Sequence, residues 1–221
     1  MNIYVFLGPP GVGKGSLSRL CVDNFGWLQL STGNLCRTHI AKQTDIGKKI
    51  DFTIKSGKLI PDSLITDMVK QWLLDNCSLN STVILDGYPR TVVQAMAIRD
   101  MLETNLTTYK LNVVKLVIPE EVVITRLSTR LICGNNECQA VYSTVAQSLV
   151  PKNLNSCDKC SSILIKRQDD DEKYIRERLS IYNQHEGDLL KYYMQLGQQV
   201  LNLDVEKQLD DVFAEFKRLI S

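Results

Sequence analysis

The chain has only two histidines, His39 and His185, and neither lies in a motif. Imidazole is the usual proton carrier near neutral pH, so chemistry built on a histidine base is not written into this sequence. An excess of one charge is also missing. Lys and Arg number 26 against 25 Asp and Glu, a net of +1, which argues against a large nucleic-acid footprint and makes any cationic site local. Aromatics make up 7% of the residues and are not interleaved with basic residues in the way that stacks single strands. No apolar run approaches the ~20 residues that cross a bilayer. Repeats and low-complexity tracts are absent, and the first residues are expected to enter a strand at once rather than to form a signal peptide. The expectation is a cytoplasmic protein with neither a nucleic-acid nor a membrane partner.

What is present suits one α/β domain with insertions: 221 residues, 44% hydrophobic and 23% charged. Short β-branched apolar runs at 3–7, 27–30, 82–85, 111–118 and 200–203 alternate with helical patterns. This predicts a five-stranded parallel sheet flanked by helices. The last turns of the pattern put helices over 120–131 and 205–220, and residues 132–166 show no clear periodicity. Two stretches fall outside the alternation, 31–60 and the cysteine-bearing 132–166.

Gly8-Pro9-Pro10-Gly11-Val12-Gly13-Lys14-Gly15-Ser16 follows the first strand and opens a helix. Gly8 to Lys14 completes the G-x-x-x-x-G-K phosphate loop, in the strand–loop–helix context the motif requires. The glycines, with Val12, let backbone N–H groups converge on phosphate, the helix start adds positive potential, and Lys14 adds a full charge. Gly15 stands where Ser or Thr is usual, and the hydroxyl follows at Ser16. Asp86 ends an apolar strand, as does the magnesium-associated aspartate of phosphate-loop proteins. Arginines at Arg37, Arg90, Arg126, Arg130, Arg167 and Arg178 lie near element ends or segment junctions. They read as a set of guanidinium groups for phosphate oxygens. A phosphate acceptor is already an anion and needs no base. The obstacle is repulsion between acceptor and donor, which cations and positioning relieve.

Four of the seven cysteines cluster in one segment. Cys133 and Cys138 are separated by four residues, Cys157 and Cys160 by two. In a reducing compartment this spacing predicts a tetrahedral, structural Zn²⁺ site rather than disulfides. Cys21, Cys36 and Cys77 are expected to be packing residues.

Taken together, five stretches make the chain resemble the adenylate kinases of the nucleoside monophosphate kinase family. They are the phosphate loop, Leu30-Ser31-Thr32-Gly33-Asn34-Leu35-Cys36-Arg37, Gly57-Lys58-Leu59-Ile60-Pro61-Asp62, Leu85-Asp86-Gly87-Tyr88-Pro89-Arg90-Thr91 with Gln94, and Arg167-Gln168-Asp169-Asp170 with Arg178. The resemblance implies ATP plus AMP giving two ADP, with Mg²⁺. It assigns the loop and Lys14 to ATP. Thr32, Arg37, the Lys58-Leu59-Ile60 backbone, Gly87, Tyr88, Pro89, Arg90 and Gln94 would bind AMP. Arg130 and the Val141-Tyr142 segment would cover ATP, Arg126 is a further nucleotide-binding candidate from the arginine set, and Arg167 and Arg178 would reach the phosphates between the nucleotides. Lys14, Asp86, Arg90, Arg130, Arg167 and Arg178 form the implied catalytic set. Three parts follow: a core (1–30, 61–128, 169–221), an AMP-binding domain (31–60) and a zinc-bearing lid (129–168), in a chain that is usually monomeric. Asn34 and Leu131 depart from the family's Asp and Arg, the first cysteine pair is wider than the usual two-residue gap, and the adenine-side glycine near Leu203-Asp204-Val205 has no match. Rival readings are a GTP donor or a UMP or CMP acceptor, a nucleotide sensor without turnover, and a zinc-ribbon nucleic-acid binder.

Overall fold

The structure is a computed structural model and describes all residues except 56–59, 106–107, 136–137, 139, 147–148 and 221. The apolar runs form β1 (Asn2–Leu7), β2 (Leu28–Ser31), β3 (Thr82–Asp86), β4 (Lys110–Val117) and, far along the chain, β8 (Val200–Asp204). They assemble the expected five-stranded parallel sheet in the order β2-β3-β1-β4-β8. Phe6 on β1 and Ser31 on β2 both stand opposite Asp86 on β3. The register therefore ends the first three strands together, so Gly8, Thr32 and Gly87 each follow the carboxyl end of a strand.

Helices fill the intervals: α1 (Lys14–Phe25), α2 (Thr32–Ala41), α3 (Asp45–Lys55), α4 (Asp62–Asn76), α5 (Val92–Asn105), α6 (Glu120–Ser128), α7 (Glu172–Gln195) and α8 (Leu209–Ile220). Their ends carry physical signals. Glu120 and Glu121 open α6, and Asp210 and Asp211 open α8, where the helix dipole favours negative charge; Lys217 and Arg218 close α8. The α2–α3 pair depends on a close approach at Gly47, where a Cβ would stand 2.0 Å from the His39 carbonyl oxygen.

The chain divides into two compact units. The first comprises Met1–Leu7, Ser18–Lys115 and His185–Leu201. Its core is Ile3, Val5, Leu30, Val83, Leu85 and Val113 from the strands, with Val69, Leu73, Ile98, Leu102, Leu189 and Tyr193 from helices. A satellite cluster of Cys36, Ile50 and Met68 lies under α2 and α3. The second unit comprises Gly8–Leu17, Leu116–Gln184 and Asn202–Ser221, with Val123 and Leu127 packed on Ile175 and Leu179.

Within the second unit, the stretch without periodicity contains a three-stranded antiparallel sheet, β6-β5-β7, formed by β5 (Arg130–Cys133), β6 (Val141–Ser143) and β7 (Leu164–Ile165). The helix expected over 120–131 stops at Ser128. Leu127 and Leu131 stand four apart and so mimic a continuing helical stripe. At the end of α6, however, the Thr129 and Ser128 hydroxyls both bond the Thr125 carbonyl, and Arg130 begins a strand. The last helix starts later than expected for a similar reason. The Asp204 carboxylate accepts the Glu206 N–H at 3.0 Å, a local turn that delays α8 to Leu209. No helix among the described residues is long and apolar enough to cross a membrane.

Candidate functional site

The phosphate loop occupies the interval between β1 and α1, as its sequence requires. Gly11 has φ +83°, and a Cβ there would stand 2.5 Å from the Leu127 side chain, so both conformation and space demand glycine. The loop closes through Val12 N–H on the Pro9 carbonyl at 3.3 Å, and Leu17 N–H on Gly13 continues it into the helix. Gly13 and Val12 lead directly to Lys14, the first residue of α1, followed by Gly15 and Ser16. The Lys14 ammonium folds over the loop, donating to the carbonyls of Gly8 at 2.7 Å and Pro9 at 2.9 Å. Arg126, from the last turn of α6, braces the same loop. Its guanidinium donates to the carbonyls of Val12 at 3.1 Å and Val205 at 2.7 Å, and burial pushes its pKa down.

In the first unit the predicted residues meet around the end of β3. Asp86 accepts from the Gln29 amide at 3.3 Å. Thr32 Oγ1 donates to the Gly87 carbonyl at 2.9 Å, and Arg90 Nε donates to that same oxygen at 2.9 Å. The Tyr88–Pro89 peptide is cis. Tyr88 is fully buried, with its hydroxyl 3.0 Å from Thr66 Oγ1 and donating to the Gln94 carbonyl at 3.1 Å; burial pushes its pKa up to about 12. The Gln94 amide accepts the Arg90 N–H at 2.8 Å and donates to Asp62 at 2.8 Å, and Asp62 also accepts from Thr91 at 2.7 Å. Arg37 donates to the Asn34 side chain. Ile60 packs against the Cys36–Ile50–Met68 cluster, whereas Lys58 and Leu59 lie outside the described residues.

In the second unit, two of the predicted arginines converge on one carboxylate. Arg130, the first residue of β5, donates to Asp170 through Nε at 2.8 Å and Nη2 at 2.5 Å, and the Asp170 side chain is fully buried. Arg178, from α7, holds the Asp169 carboxylate at 3.0 Å and carbonyl at 2.9 Å, and its Nη1 lies 3.6 Å from Asp170. Arg167 precedes the 3₁₀ turn Gln168–Asp170, and its carbonyl accepts the Asp170 N–H.

The decisive observation comes from comparison with known proteins. The family model for adenylate kinase matches residues 6–198. An adenylate kinase of Archaeoglobus fulgidus is 37% identical over 220 residues, covering 100% of this chain and 98% of that protein. One of Methanosarcina acetivorans is 35% identical over 221 residues, covering 100% and 99%, and one of Thermotoga petrophila is 36% identical over 221 residues, covering 100% and 97%. The chain belongs to the adenylate kinase family.

Against that family background, the cysteine cluster of this adenylate kinase lies at the small sheet of the second unit. Cys133 ends β5, and Val141 and Tyr142 are on β6, with Tyr142 buried beside Cys133, Cys157 and Leu164. Four sulfurs at ~2.3 Å from a tetrahedral Zn²⁺ stand about 3.8 Å apart. The Cys133 and Cys160 sulfurs are 3.3 Å apart, those of Cys138 and Cys157 3.7 Å, and all four lie within 4.8 Å of one another. The donor set therefore fits a thiophilic tetrahedral ion. Burial pushes the Cys133 thiol up to about 12, while hydrogen bonding with Ser162 lowers Cys160 to about 6. Cys21 and Cys36 are buried and Cys77 is half-buried, as packing residues should be.

Three residues that hold predicted side chains in place were not picked out in the sequence: Gln29 beside Asp86, Asp62 behind Gln94, and Asp170 between the arginines. Asp62 and Asp170 stood inside quoted motifs but had no assigned partner. Their role depends on contacts 29 to 40 residues away in the chain, and no local pattern records those.

Proposed function

We propose that the chain transfers the γ-phosphoryl group of ATP to AMP, reversibly and with Mg²⁺. The phosphate loop and Lys14 take the ATP phosphates, with Arg126, Arg130 and the Val141-Tyr142 segment on the ATP side. Thr32, Arg37, the backbone of 58–60, Gly87 to Arg90 and Gln94 take AMP. An oxygen of the AMP phosphate attacks the γ-phosphorus. That bond forms as the bond to the β–γ bridging oxygen breaks, leaving ADP on both sides. Lys14, Arg90, Arg130, Arg167 and Arg178 offset the charge that otherwise keeps two phosphates apart. Asp86, a single carboxylate at a strand end, suits a Mg²⁺ that keeps most of its waters. Magnesium neutralises phosphate charge when bound. Cys133, Cys138, Cys157 and Cys160 would hold a structural Zn²⁺ in a lid spanning 129–168, with 31–60 as the AMP-binding domain and the rest as core. Closure of such a lid excludes water from the phosphoryl group. The protein acts as a cytoplasmic monomer on small-molecule nucleotides, without nucleic acid.

The observation that carries this reading is whole-length similarity to adenylate kinases at 35–37% identity, joined to a phosphate loop and an arginine set with no base among them. A coupled assay with MgATP and each nucleoside monophosphate tests it. ADP should form with AMP, only with Mg²⁺, and fall by at least ~100-fold in Arg90→Ala. Transfer to UMP or CMP in preference to AMP, or to no acceptor at all, would overturn the assignment.

A further inference from the structure

Tyr142 lies on β6 opposite Leu131 of β5 and is 7% exposed. A buried tyrosine must place its hydroxyl as well as its ring. Here the ring packs in the small core of Cys133, Cys157 and Leu164, and the hydroxyl meets two groups. The Asp158 N–H donates to Oη at 2.8 Å, and Cys157 Sγ stands 3.3 Å from Oη. The oxygen accepts the amide N–H, and against a thiolate, which carries no proton, the hydroxyl is the group left to donate to the sulfur. The Lys159 N–H points at the same sulfur from 3.4 Å. Ser162 Oγ lies 3.4 Å from Cys160 Sγ, so both members of the second cysteine pair have a hydroxyl neighbour. The turn that carries this pair is itself closed by hydrogen bonds, Cys157 N–H to Ser162 at 2.8 Å and Ser161 N–H to Cys157 at 2.8 Å.

Four thiolates around one divalent ion leave a net charge of −2. Donors to the sulfurs spread that charge and fix the direction of each lone pair, which is how outer-sphere groups tune a metal. The Tyr142 hydroxyl does this from a different element than the cysteine it serves, tying β6 to the Cys157–Cys160 turn. A phenylalanine would fill the same space and supply neither bond.

We propose that Tyr142 is an outer-sphere positioning residue of the lid's metal centre, its hydroxyl anchored by the Asp158 N–H and donating to the Cys157 thiolate. This rests on the four-cysteine metal reading. Competition between the full chain and a chromophoric chelator for Zn²⁺ gives the test. Wild type should bind one equivalent. Tyr142→Phe should bind one equivalent some 10–100-fold more weakly. Substitution with Co²⁺ gives a readout independent of activity. Without its donor the Cys157 sulfur is easier to oxidise, so the thiolate-to-cobalt band of Tyr142→Phe should move to longer wavelength. Should that variant not fold, the wild type loaded with cadmium-113 should show scalar coupling from the Tyr142 hydroxyl proton through Cys157 Sγ. Equal Zn²⁺ affinity with an unmoved cobalt band, or a coupling experiment without that signal, would overturn the proposal alone. No binding by wild type would overturn the metal reading and the proposal with it.

Discussion

Replacing Asp170 with Asn should unlatch two arginines with a change of one atom. The Asp170 side chain is 0% exposed and Arg130 only 14%. Two hydrogen bonds of 2.8 and 2.5 Å join them, and Arg178 approaches the same carboxylate at 3.6 Å. An amide keeps one acceptor but turns an NH₂ group toward a guanidinium that can only donate. Breaking a buried ion pair by removing one partner costs roughly 3–5 kcal/mol. Arg178 is 30% exposed and keeps Asp169, so solvent and that second carboxylate recover part of the loss. We therefore expect about 3 kcal/mol. For a chain of this length, melting shifts by roughly 2–4 °C per kcal/mol, so the midpoint should fall by about 6–12 °C. The arginines would also lose their fixed directions, and a displacement of about 1 Å can cost ~100-fold in rate. The assay pairs thermal melting by circular dichroism with the coupled kinase reaction. Asp169→Asn is the control. Its carboxylate is 49% exposed, and it should cost no more than about 1 kcal/mol. A midpoint within ~2 °C of wild type and an unchanged kcat for Asp170→Asn would refute the reasoning.

Gly47→Ala would drive a Cβ against the His39 carbonyl, and the forced separation of α2 and α3 should destabilise the protein by about 1–3 kcal/mol, read by urea unfolding. Asp62→Ala removes the acceptor shared by Thr91 and Gln94, so KM for AMP should rise about 10-fold while KM for ATP changes little in the same assay. Chelation of zinc-loaded protein should expose the Cys133, Cys138, Cys157 and Cys160 thiols to a colorimetric thiol reagent while the burial-raised Cys21 and Cys77 stay slow. The same treatment should lower the melting midpoint, with far-UV circular dichroism of the core retained.

Much of this was legible in the chain because it is enforced locally. A phosphate loop announces itself since only glycine tolerates the backbone at Gly11, and strands read as strands where β-branched residues run between turn signals. The cysteine pairs were legible for the same reason, the members of each pair lying only a few residues apart in the chain. The small sheet of β5, β6 and β7 was not, because Leu127 and Leu131 imitate a helix and β7 has only two residues. Burial of a carboxylate is likewise invisible in sequence. Asp169 and Asp170 are identical neighbours, yet one is half-exposed and the other sealed between arginines. Nor does the pattern reveal how the chain divides. Each unit gathers three separate stretches, and the boundaries at 7–8, 17–18, 115–116, 184–185 and 201–202 fall within or beside continuous secondary structure.

The strand order has a consequence during protein synthesis. β8 pairs beside β4 at the edge of the sheet, although it lies more than eighty residues further along the chain. At ~5–20 residues per second, a ribosome needs on the order of 4–17 s to pass from the end of β4 to the start of β8. Throughout that interval the apolar Lys110–Val117 strand has one side with no native neighbour yet made. An open edge of that kind is a template for pairing with another nascent chain. The sheet therefore stays vulnerable for most of the second half of translation, and a variant that delays or weakens β8 should first betray itself as aggregate on the polysome, well before any loss of phosphoryl transfer in the protein that escapes.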